Sequence, residues 1–542
     1  MKNVVFPFLL LISIITNSQF INIEWQQCYG GSGGDNGKDV VISNNGYAVF
    51  CATGSNDGQV SYNHGSNDFW LIFTDQVGNL LWEKTYGGSD IEFPYKLKRT
   101  ADGNYIMFGY TLSNDGDITN NHGSQDYWVV KADSIGEIIW QKCLWGSWPE
   151  YGLDMDLDQD ENIVVIGYSY SNDGNITNHI GHYDYWIVKL NQQGEILWDK
   201  SLGGTFMDWG LCISPTNDGG YITGGFTLSD DIDVVCDNHE TEHGDTWIVK
   251  LDSLGNIEWQ NCYGGTYFEN AIEILQIEDG YIFVGGTNSN DGDVSGFHGT
   301  PGTYDNYDIW VVKLDESGNI EWQRCLGGTD TEHPKFIIET EENGYLVGGW
   351  TMSHDGDVIG NHSIGDYRAD IWLVKLSEDG AIEWQQCIGN SNNQQFGNIL
   401  KLSENNYILI GGTGAIDISG DVDCDYHGGG DVWMFKISDT TTGVNELQST
   451  DEIVKVYPNP AKDYVVFELP PSVISNQWAG QSASVRNPLP VRVTNLFGQE
   501  VTKLPVKIEK TVWDTREVKN GIYFYSVEIE GKYFGGKVVI QK

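Results

Sequence analysis

The stretch AIEILQIEDGYIFVGGTNSNDGDVSGFHGTPGTYDNYDIWVVKLDESGNIEWQRCLGG, residues 271–328, decides the fold of this chain. It holds two apolar runs around an Asp-Gly pair, a long polar loop, the run DIWVVKLD, a tight turn with Gly318, and the run IEWQRCLGG. Asp-Gly is a frequent hairpin turn, and β-branched residues favour strands. The stretch therefore predicts four antiparallel strands, with one long loop between the second and the third.

Two series of tryptophans repeat this pattern between about residues 21 and 438. The first series lies two residues after an Asp: Trp70, Trp128, Trp186, Trp247, Trp310, Trp372 and Trp433. The second lies in segments like IEW: Trp25, Trp82, Trp140, Trp198, Trp259, Trp322 and Trp384. Repeats of about 60 residues with four strands each are typical of a β-propeller.

The phase of the repeat indicates how the ring closes. The first IEW segment, at residues 23–30, comes before any complete repeat, and the last repeat stops after its third strand at residues 431–438. The N-terminal strand can therefore complete the last blade, which removes two exposed sheet edges. We predict an all-β chain with a seven-bladed β-propeller of four-stranded blades, closed in this way. The alternative is a linear array of the same repeats.

The last hundred residues follow a different pattern, in which short alternating strands and turn residues predict a small β-sandwich. Four motifs stand out: Tyr-Pro-Asn-Pro at 457–460, Asn-Leu-Phe-Gly-Gln at 495–499, Asn-Gly-Ile-Tyr-Phe at 520–524, and the terminal Lys-Val-Val-Ile-Gln-Lys at 537–542. With these motifs, residues 452–542 closely resemble the type A C-terminal sorting domain of the type IX secretion system. Residues 472–490 depart from that family as an insertion.

The resemblance implies a route and a location. Members of the family are exported, cross the outer membrane, lose this tail, and are released or attached to surface lipopolysaccharide. It therefore implies the type IX secretion machinery as a partner. It also implies a secreted or outer-membrane surface location in a Gram-negative bacterium.

The N-terminus fits such a route, because Lys2 and the short apolar stretch Val4 to Ile15 predict a signal peptide. The predicted division is a signal peptide at 1–18, the propeller at 19–438, a polar linker at 439–451, and the sorting sandwich at 452–542. No later segment is long and apolar enough to predict a transmembrane helix. We expect a monomer.

Charge and cysteines limit the classes of function. The chain has 77 acidic against 30 basic residues and a net charge of −47, which excludes nucleic acid and anionic lipid as partners. Five of the nine cysteines share one repeat position, where two other repeats have Thr85 and Ser201: Cys28, Cys143, Cys262, Cys325 and Cys387. This pattern predicts a small buried residue and few or no disulfides. Cys236 and Cys424 match each other in repeat position, and we do not expect them to meet.

A series of acids enters the innermost strands of the predicted blades. It consists of Asp35, Glu92, Glu150, Asp208, Glu269 and Glu332, and the seventh copy has Gln394. One hypothesis is a ring in the central channel that holds Ca²⁺, because hard cations prefer oxygen ligands. The other is a purely structural role, in which each acid accepts hydrogen bonds between blades. A histidine closes most second-to-third loops, which indicates local loop packing: His64, His122, His182, His243, His298, His362 and His427.

Departures from the repeat are the stronger indications of function. Trp145, Trp148 and Trp209 lie outside both periodic series, in the fourth-to-first connections of two successive blades. They are accompanied by Glu150, Tyr151, Phe206 and Asp208. Aromatic rings beside carboxylates suit sugars, which stack their apolar faces on indoles. The alternative is packing between blades.

The sequence has no nucleophile elbow, phosphate-cradling loop or zinc-protease motif, and it leaves three functions open. The first is a secreted or surface-held binding module for a glycan or a protein. The second is a polysaccharide-degrading propeller enzyme, a hydrolase or a lyase. The third is a structural or adhesion protein of the cell surface.

Overall fold

The computed structural model describes residues 20–122, 124–236, 243–304, 306–340, 344–364, 368–403, 405–414, 420–439, 455–458, 460–469, 489–495, 500–506, 510–529 and 532–542. The chain divides into two compact units, Met1–Asp439 and Thr440–Lys542. The predicted signal peptide lies outside the described residues, and so does the predicted linker except for Asp439. Among the described residues, no helix has the length and apolar character that a membrane crossing requires.

The first unit consists of four-stranded antiparallel sheets, called blades here and numbered in chain order. The chain enters with β1 (Ile21–Tyr29). Blades 1 and 2 then contain β2 (Asp35–Ile42), β3 (Gly46–Thr53), β4 (Asp68–Asp75), β5 (Leu80–Tyr86), and β6 (Glu92–Arg99), β7 (Tyr105–Thr111), β8 (Asp126–Ala132), β9 (Ile138–Leu144). Blades 3 and 4 contain β10 (Glu150–Leu157), β11 (Ile163–Ser169), β12 (Asp184–Leu190), β13 (Ile196–Leu202), and β14 (Asp208–Pro215), β15 (Tyr221–Thr227), β16 (Asp245–Leu251), β17 (Ile257–Tyr263).

The remaining blades repeat the order. Blades 5 and 6 contain β18 (Glu273–Ile277), β19 (Gly280–Thr287), β20 (Asp308–Asp315), β21 (Ile320–Leu326), and β22 (Glu332–Glu339), β23 (Tyr345–Thr351), β24 (Asp370–Leu376), β25 (Ile382–Ile388). Blade 7 contains β26 (Gln394–Ser403), β27 (Asn406–Thr413) and β28 (Asp431–Asp439), and β1 is its fourth strand. The N-terminal strand thus completes the last blade, as the phase of the repeat predicts.

The blades follow one another around a circle. The first strand of each blade contacts the first strand of the next, in the order β2, β6, β10, β14, β18, β22 and β26, and β26 contacts β2 again. At the closure, β1 pairs with β28 in a register that sets Cys28 opposite Trp433. The described sheets therefore form a closed β-propeller and not a linear array.

The repeat pattern explains why each blade packs. The second and third strands are buried on both faces, whereas the fourth strand is only partly buried, as its alternating sequence predicts. The tryptophans of the first series are fully buried. Several of them donate a hydrogen bond across to the fourth strand, as Trp128 Nε1 does to Gln141 Oε1 at 3.0 Å. The tight turn before that strand uses glycine at positive φ, with 82° at Gly318.

The expectation about the cysteines is wrong at two blades. Cys28 pairs with Cys424 in blade 7, and Cys262 pairs with Cys236 in blade 4. In each case a cysteine of the second-to-third loop meets a cysteine of the fourth strand in its own blade. Cys143, Cys325 and Cys387 are free and buried, as predicted for a small residue in a tight place.

The second unit contains two antiparallel sheets. One consists of β29 (Lys455–Tyr457), β30 (Tyr464–Glu468) and β33 (Lys510–Asp514). The other consists of β31 (Leu489–Asn495), β32 (Glu500–Val506), β34 (Gly521–Ile529) and β35 (Lys532–Ile540). Val465 and Trp513 of the first sheet share one core with Val493, Tyr525 and Val538 of the second, which makes the unit a small sandwich. Most of the predicted insertion lies outside the described residues.

Candidate ligand-binding site

The propeller channel holds a cavity of about 560 Å³, within the size range of small-ligand pockets. The first strand of every blade contributes to its wall, because these strands face one another around the axis. One residue of each blade, three positions after the acid series or Gln394, forms a ring in this wall. This channel ring consists of Lys38, Tyr95, Leu153, Leu211, Ile272, Lys335 and Gly397. This cavity is the candidate site.

Aromatic rings surround the loop-bearing end of the channel. They form a continuous series of ring contacts, called the aromatic arc: Phe93, Tyr95, Tyr110, Tyr151, Tyr168, Trp209, Phe226, Phe268, Tyr307, His333 and Trp350. Tyr95, Phe268, Tyr307, His333 and Trp350 also line the cavity. The arc runs from blade 2 to blade 6 and ends there, because blades 1 and 7 carry small or amide side chains at these positions. The channel mouth therefore has an aromatic side and a polar side.

Lys96 is held between two carboxylates in the channel. Its Nζ lies 3.2 Å from Asp154 Oδ1 and 3.4 Å from Glu273 Oε2. Burial opposes the charge of Lys96, but these carboxylates keep its pKa above the usual value. The lysine thus links blades 2, 3 and 5 across the channel.

Lys335 and His333 lie on the same strand, β22, and both face the cavity. The Lys335 side chain is exposed to the cavity, and desolvation by the surrounding channel wall together with repulsion from Lys38 and Lys96 lowers its pKa to about 8. Burial and the nearby Lys335 lower the pKa of His333 to about 4, so its imidazole is neutral at pH 7. His333 packs on Trp350 with ring centroids 4.1 Å apart. The position of His333 favours a role in shaping the cavity wall.

The predicted acid series lies at the junctions between blades. Glu92 is fully buried; its carboxylate accepts hydrogen bonds from Gly88 N at 3.0 Å and Thr111 Oγ1 at 2.7 Å. Glu332 repeats this arrangement with Gly328 N and Thr351 Oγ1. Thr111 and Thr351 belong to the blade of the acid, whereas Gly88 and Gly328 lie in the connection from the preceding blade. The backbone N of Glu92 also donates to Asn67 O of the preceding blade at 2.7 Å. The structural role of the acid series stays a prediction, and these contacts are compatible with it.

Each acid of the series also faces an Asp at the start of a third strand in the preceding blade. Asp126 and Glu150 are one such pair, and the charge of Asp126 adds to burial in raising the pKa of Glu150. Burial raises the pKa of Asp126 to about 7 and that of Glu150 to about 8. The pKa values of the other shifted members rise for the same reason, to about 7 in Glu92, Glu269 and Glu332 and about 6 in Asp208.

The calcium ring remains a prediction. None of Asp35, Glu92, Glu150, Asp208, Glu269 and Glu332 lines the cavity. Within the described residues, no group of three or more His, Cys, Asp or Glu side chains is arranged to hold a metal ion. The carboxylate of Glu332 already accepts two hydrogen bonds, and a cation would compete with these donors for its oxygens.

The loop histidines pack locally, as predicted. His298 Nδ1 lies 2.6 Å from Asp308 Oδ2, and His64 makes the same contact with Asp68. In blade 3 the partner of Asp184 is His179, at 3.0 Å, and not the predicted His182. These contacts anchor the second-to-third loops to the third strands.

The predicted aromatic residues divide into two groups. Tyr151 and Trp209 belong to the aromatic arc, where Trp209 stacks on Tyr168 at 5.3 Å. Trp148 and Phe206 stand at loop tips and are 57% and 56% exposed. Trp145 stacks on His122 at 4.0 Å, away from the cavity. Glu150 and Asp208, predicted to accompany these rings, are buried at the blade junctions.

The sequence prediction missed several residues of the aromatic arc and of the cavity wall. Tyr110, Tyr168, Phe226 and Trp350 each precede the Thr or Ser that ends a second strand, and this recurrence could have indicated the arc. Lys38 and Lys335 are different. They occupy one position in two distant blades, and only the closed ring brings that position together.

The comparisons with known proteins decide the nature of the second unit. Residues 455–541 match the family of secretion system C-terminal sorting domains. This chain carries a type IX sorting domain. The protein is accordingly secreted to the cell surface or beyond it, and the secretion machinery handles its C-terminal unit.

Solved structures are similar to the chain at low sequence identity. PorZ, a surface component of the type IX secretion system of Porphyromonas gingivalis, is 12% identical with a TM-score of 0.42 over 95% of this chain. The chain spans 60% of the length of that protein. The WD40 domain of Neurospora crassa Pan2 is 10% identical with a TM-score of 0.38, over 77% of this chain and 95% of that one. No curated protein sequence matches the chain.

Proposed function

We propose that this protein is an exported glycan-binding module and that its ligand enters the propeller channel across the aromatic arc. One observation carries the proposal. The cavity has the volume of a ligand pocket and combines partly exposed rings with polar groups. Such rings would stack on the apolar faces of sugars, while amides and charged groups would hydrogen-bond to hydroxyls.

The rings that face the cavity are held rigidly. Tyr307 contacts Phe268 at 5.7 Å and His333 at 5.9 Å between ring centroids, and His333 in turn contacts Trp350. Asn270 and Asn398 lie in the same wall, where Asn270 Oδ1 accepts from Gly286 N and Asn398 Nδ2 donates to Asp39 Oδ1. A preformed site of this kind binds without first ordering its own side chains, which favours affinity.

The export route agrees with such a role. A module at the cell surface or in the medium meets polysaccharides directly, and the sorting domain brings the propeller there. The exposed rings of Trp148 and Phe206 lie on the loops and form a second candidate surface, which would extend the site for a longer glycan.

The first test is glycan binding by the purified full-length chain, on an array and then by calorimetry. Trp350→Ala should weaken binding about tenfold, because a well-packed aromatic contact contributes about 1 kcal/mol beyond buried area. Trp148→Ala tests the second candidate surface separately, since it removes an exposed indole outside the cavity. Melting curves of both variants check that the fold is kept.

The outcomes separate the alternatives. Loss of binding with Trp148→Ala and full binding with Trp350→Ala would move the site to the loop surface. Binding that survives both substitutions would contradict the aromatic site altogether. Release of shorter saccharides during the assay would favour the polysaccharide-degrading enzyme over the binding module.

A further inference from the structure

The channel ring is divided by charge. Lys335 of blade 6 and Lys38 of blade 1 flank Gly397 of blade 7, which has no side chain. Leu153, Leu211 and Ile272 occupy the same position in blades 3 to 5, so one side of the ring is cationic and the other apolar. At this ring a ligand therefore meets two ammonium groups on one side only, and the other lysine of the cavity wall, Lys96, is paired with Asp154 and Glu273.

These two lysines have no counter-charge. Within the described residues, neither Lys38 nor Lys335 forms an ion pair, whereas Lys96 has both Asp154 and Glu273. Other buried lysines of the propeller are paired as well, for example Lys313 with Asp279 at 2.8 Å and Lys189 with Asp158 at 2.8 Å. In a chain with 77 acidic and 30 basic residues, a pair of uncompensated lysines in a cavity is an unexpected arrangement.

The neighbouring lysines affect the pKa of Lys335. Burial lowers the pKa of Lys38, and desolvation together with Lys38 and Lys96 lowers that of Lys335 to about 8. An anion placed between the two ammonium groups would reverse this effect, because an opposite charge favours the protonated form. The titratable groups around them are Cys51 beside Lys38, His333 beside Lys335, and Lys96, which is neutralised by Asp154 and Glu273.

We propose that Lys38 and Lys335 form an anion-binding subsite and that the protein selects acidic saccharides, whose carboxylate or sulfate group sits between them. This inference rests on the proposed glycan-binding function and names its ligand class. The sugar ring would then lie against Tyr307 and Trp350, which line the same cavity. The acidic exterior repels anions at long range, so binding depends on these local contacts.

The test uses calorimetry on the purified full-length chain with two matched ligands. Trigalacturonate carries carboxylates, and its methyl ester is the same trisaccharide without charge. We expect the acid to bind at least tenfold more tightly than the ester at pH 7. A third ligand is a trisaccharide without carboxylates that carries one sulfate ester. It distinguishes a sulfate ester from a carboxylate as the preferred anion.

The variants Lys38→Met and Lys335→Met remove one charge each and keep the chain length of the side chain. Each should weaken binding of the acid about tenfold and leave binding of the ester unchanged. Lys84→Met is the control, because Lys84 lies on an outer strand in an exposed pair with Glu137 and changes the net charge equally. Affinity for the acid should also fall between pH 7 and pH 9 as Lys335 loses its proton.

The possible failures are distinguishable. Equal binding of acid and ester, or lysine variants that bind the acid like the parent, would overturn the subsite and leave the glycan-binding function intact. Absence of binding to every saccharide would overturn both proposals. Weaker binding of acid and ester alike in Lys335→Met would show that the lysine shapes the wall without contacting the anion.

Discussion

Glu92 and its counterparts are acids whose protonation depends on their position between blades. Burial raises the pKa of Glu92 to about 7, and its neighbour Asp68 presents an oxygen, Oδ1, that has no hydrogen-bond partner. The seventh copy of the position has Gln394, an amide that resembles a protonated glutamate in shape. The position therefore accepts a neutral side chain without losing the blade junction.

The raised pKa values predict how stability depends on pH. A carboxyl with a higher pKa in the folded chain binds protons more strongly there, so stability is lost as pH rises from about 4.5 to above 7. We expect the melting temperature to be higher at pH 5 than at pH 8. Differential scanning fluorimetry across this range checks the slope; a flat or rising curve would contradict it.

Glu92→Gln tests the same effect at a single site. The glutamine of the variant has no proton to lose. The free energy of unfolding of the variant, taken relative to the parent, should therefore be about 1 to 3 kcal/mol higher at pH 8 than at pH 5. Glu137→Gln, at an exposed acid, is the control and should show no such difference. An equal pH slope in Glu92→Gln and the parent would mean that Glu92 stays ionised.

Strands and blades were predictable because their signals repeat. The Trp series, the Asp-Gly turns and the early copy of the IEW segment indicate the sheets and the pairing of β1 with β28. The cavity was not predictable in the same way. Lys38 and Lys335 are 297 residues apart by their numbering (335 − 38), and a single strand gives no sign that both face one axis.

The disulfides show the limit of comparing repeats. Cys236 and Cys424 occupy the same repeat position, which correctly indicates that they do not meet each other. Each pairs instead with the fourth-strand cysteine of its own blade. The signal was the coincidence of two cysteines within blade 4 and within blade 7, and a position-by-position comparison hides it.

The two bridges should differ in their contribution to stability. Cys28–Cys424 joins residues 396 positions apart, and Cys236–Cys262 joins residues 26 apart. The loop-closure estimate makes the longer connection about 2 kcal/mol more stabilising. Urea unfolding of Cys28→Ser/Cys424→Ser should therefore show a larger loss than that of Cys236→Ser/Cys262→Ser. An equal or smaller loss would mean that the strand pairing of β1 already holds the ring closed.

The whole molecule is strongly acidic, with a net charge of −47, and this bears on metal binding. Weak cation association with the exterior is expected, but the buried acid series should not contribute to it. In calorimetry of metal-stripped protein with Ca²⁺ at pH 7, we expect no saturable binding that depends on Glu332. The parent and Glu332→Gln should therefore give the same result. A stoichiometric heat lost in Glu332→Gln would instead support the predicted calcium ring.

The position of β1 has a consequence for how the chain acquires its structure. The segment that completes the circle is made first, yet its partner β28 ends at Asp439. During synthesis and export, Ile21–Tyr29 has no strand to pair with until almost the entire toroid has emerged. Six blades can form in chain order, but the seventh requires β1 to pair with β28. This pairing is slow because the two strands are far apart along the chain. Until these strands pair, the propeller is an open ring with two exposed sheet edges. A partner that covers those edges during export would limit aggregation.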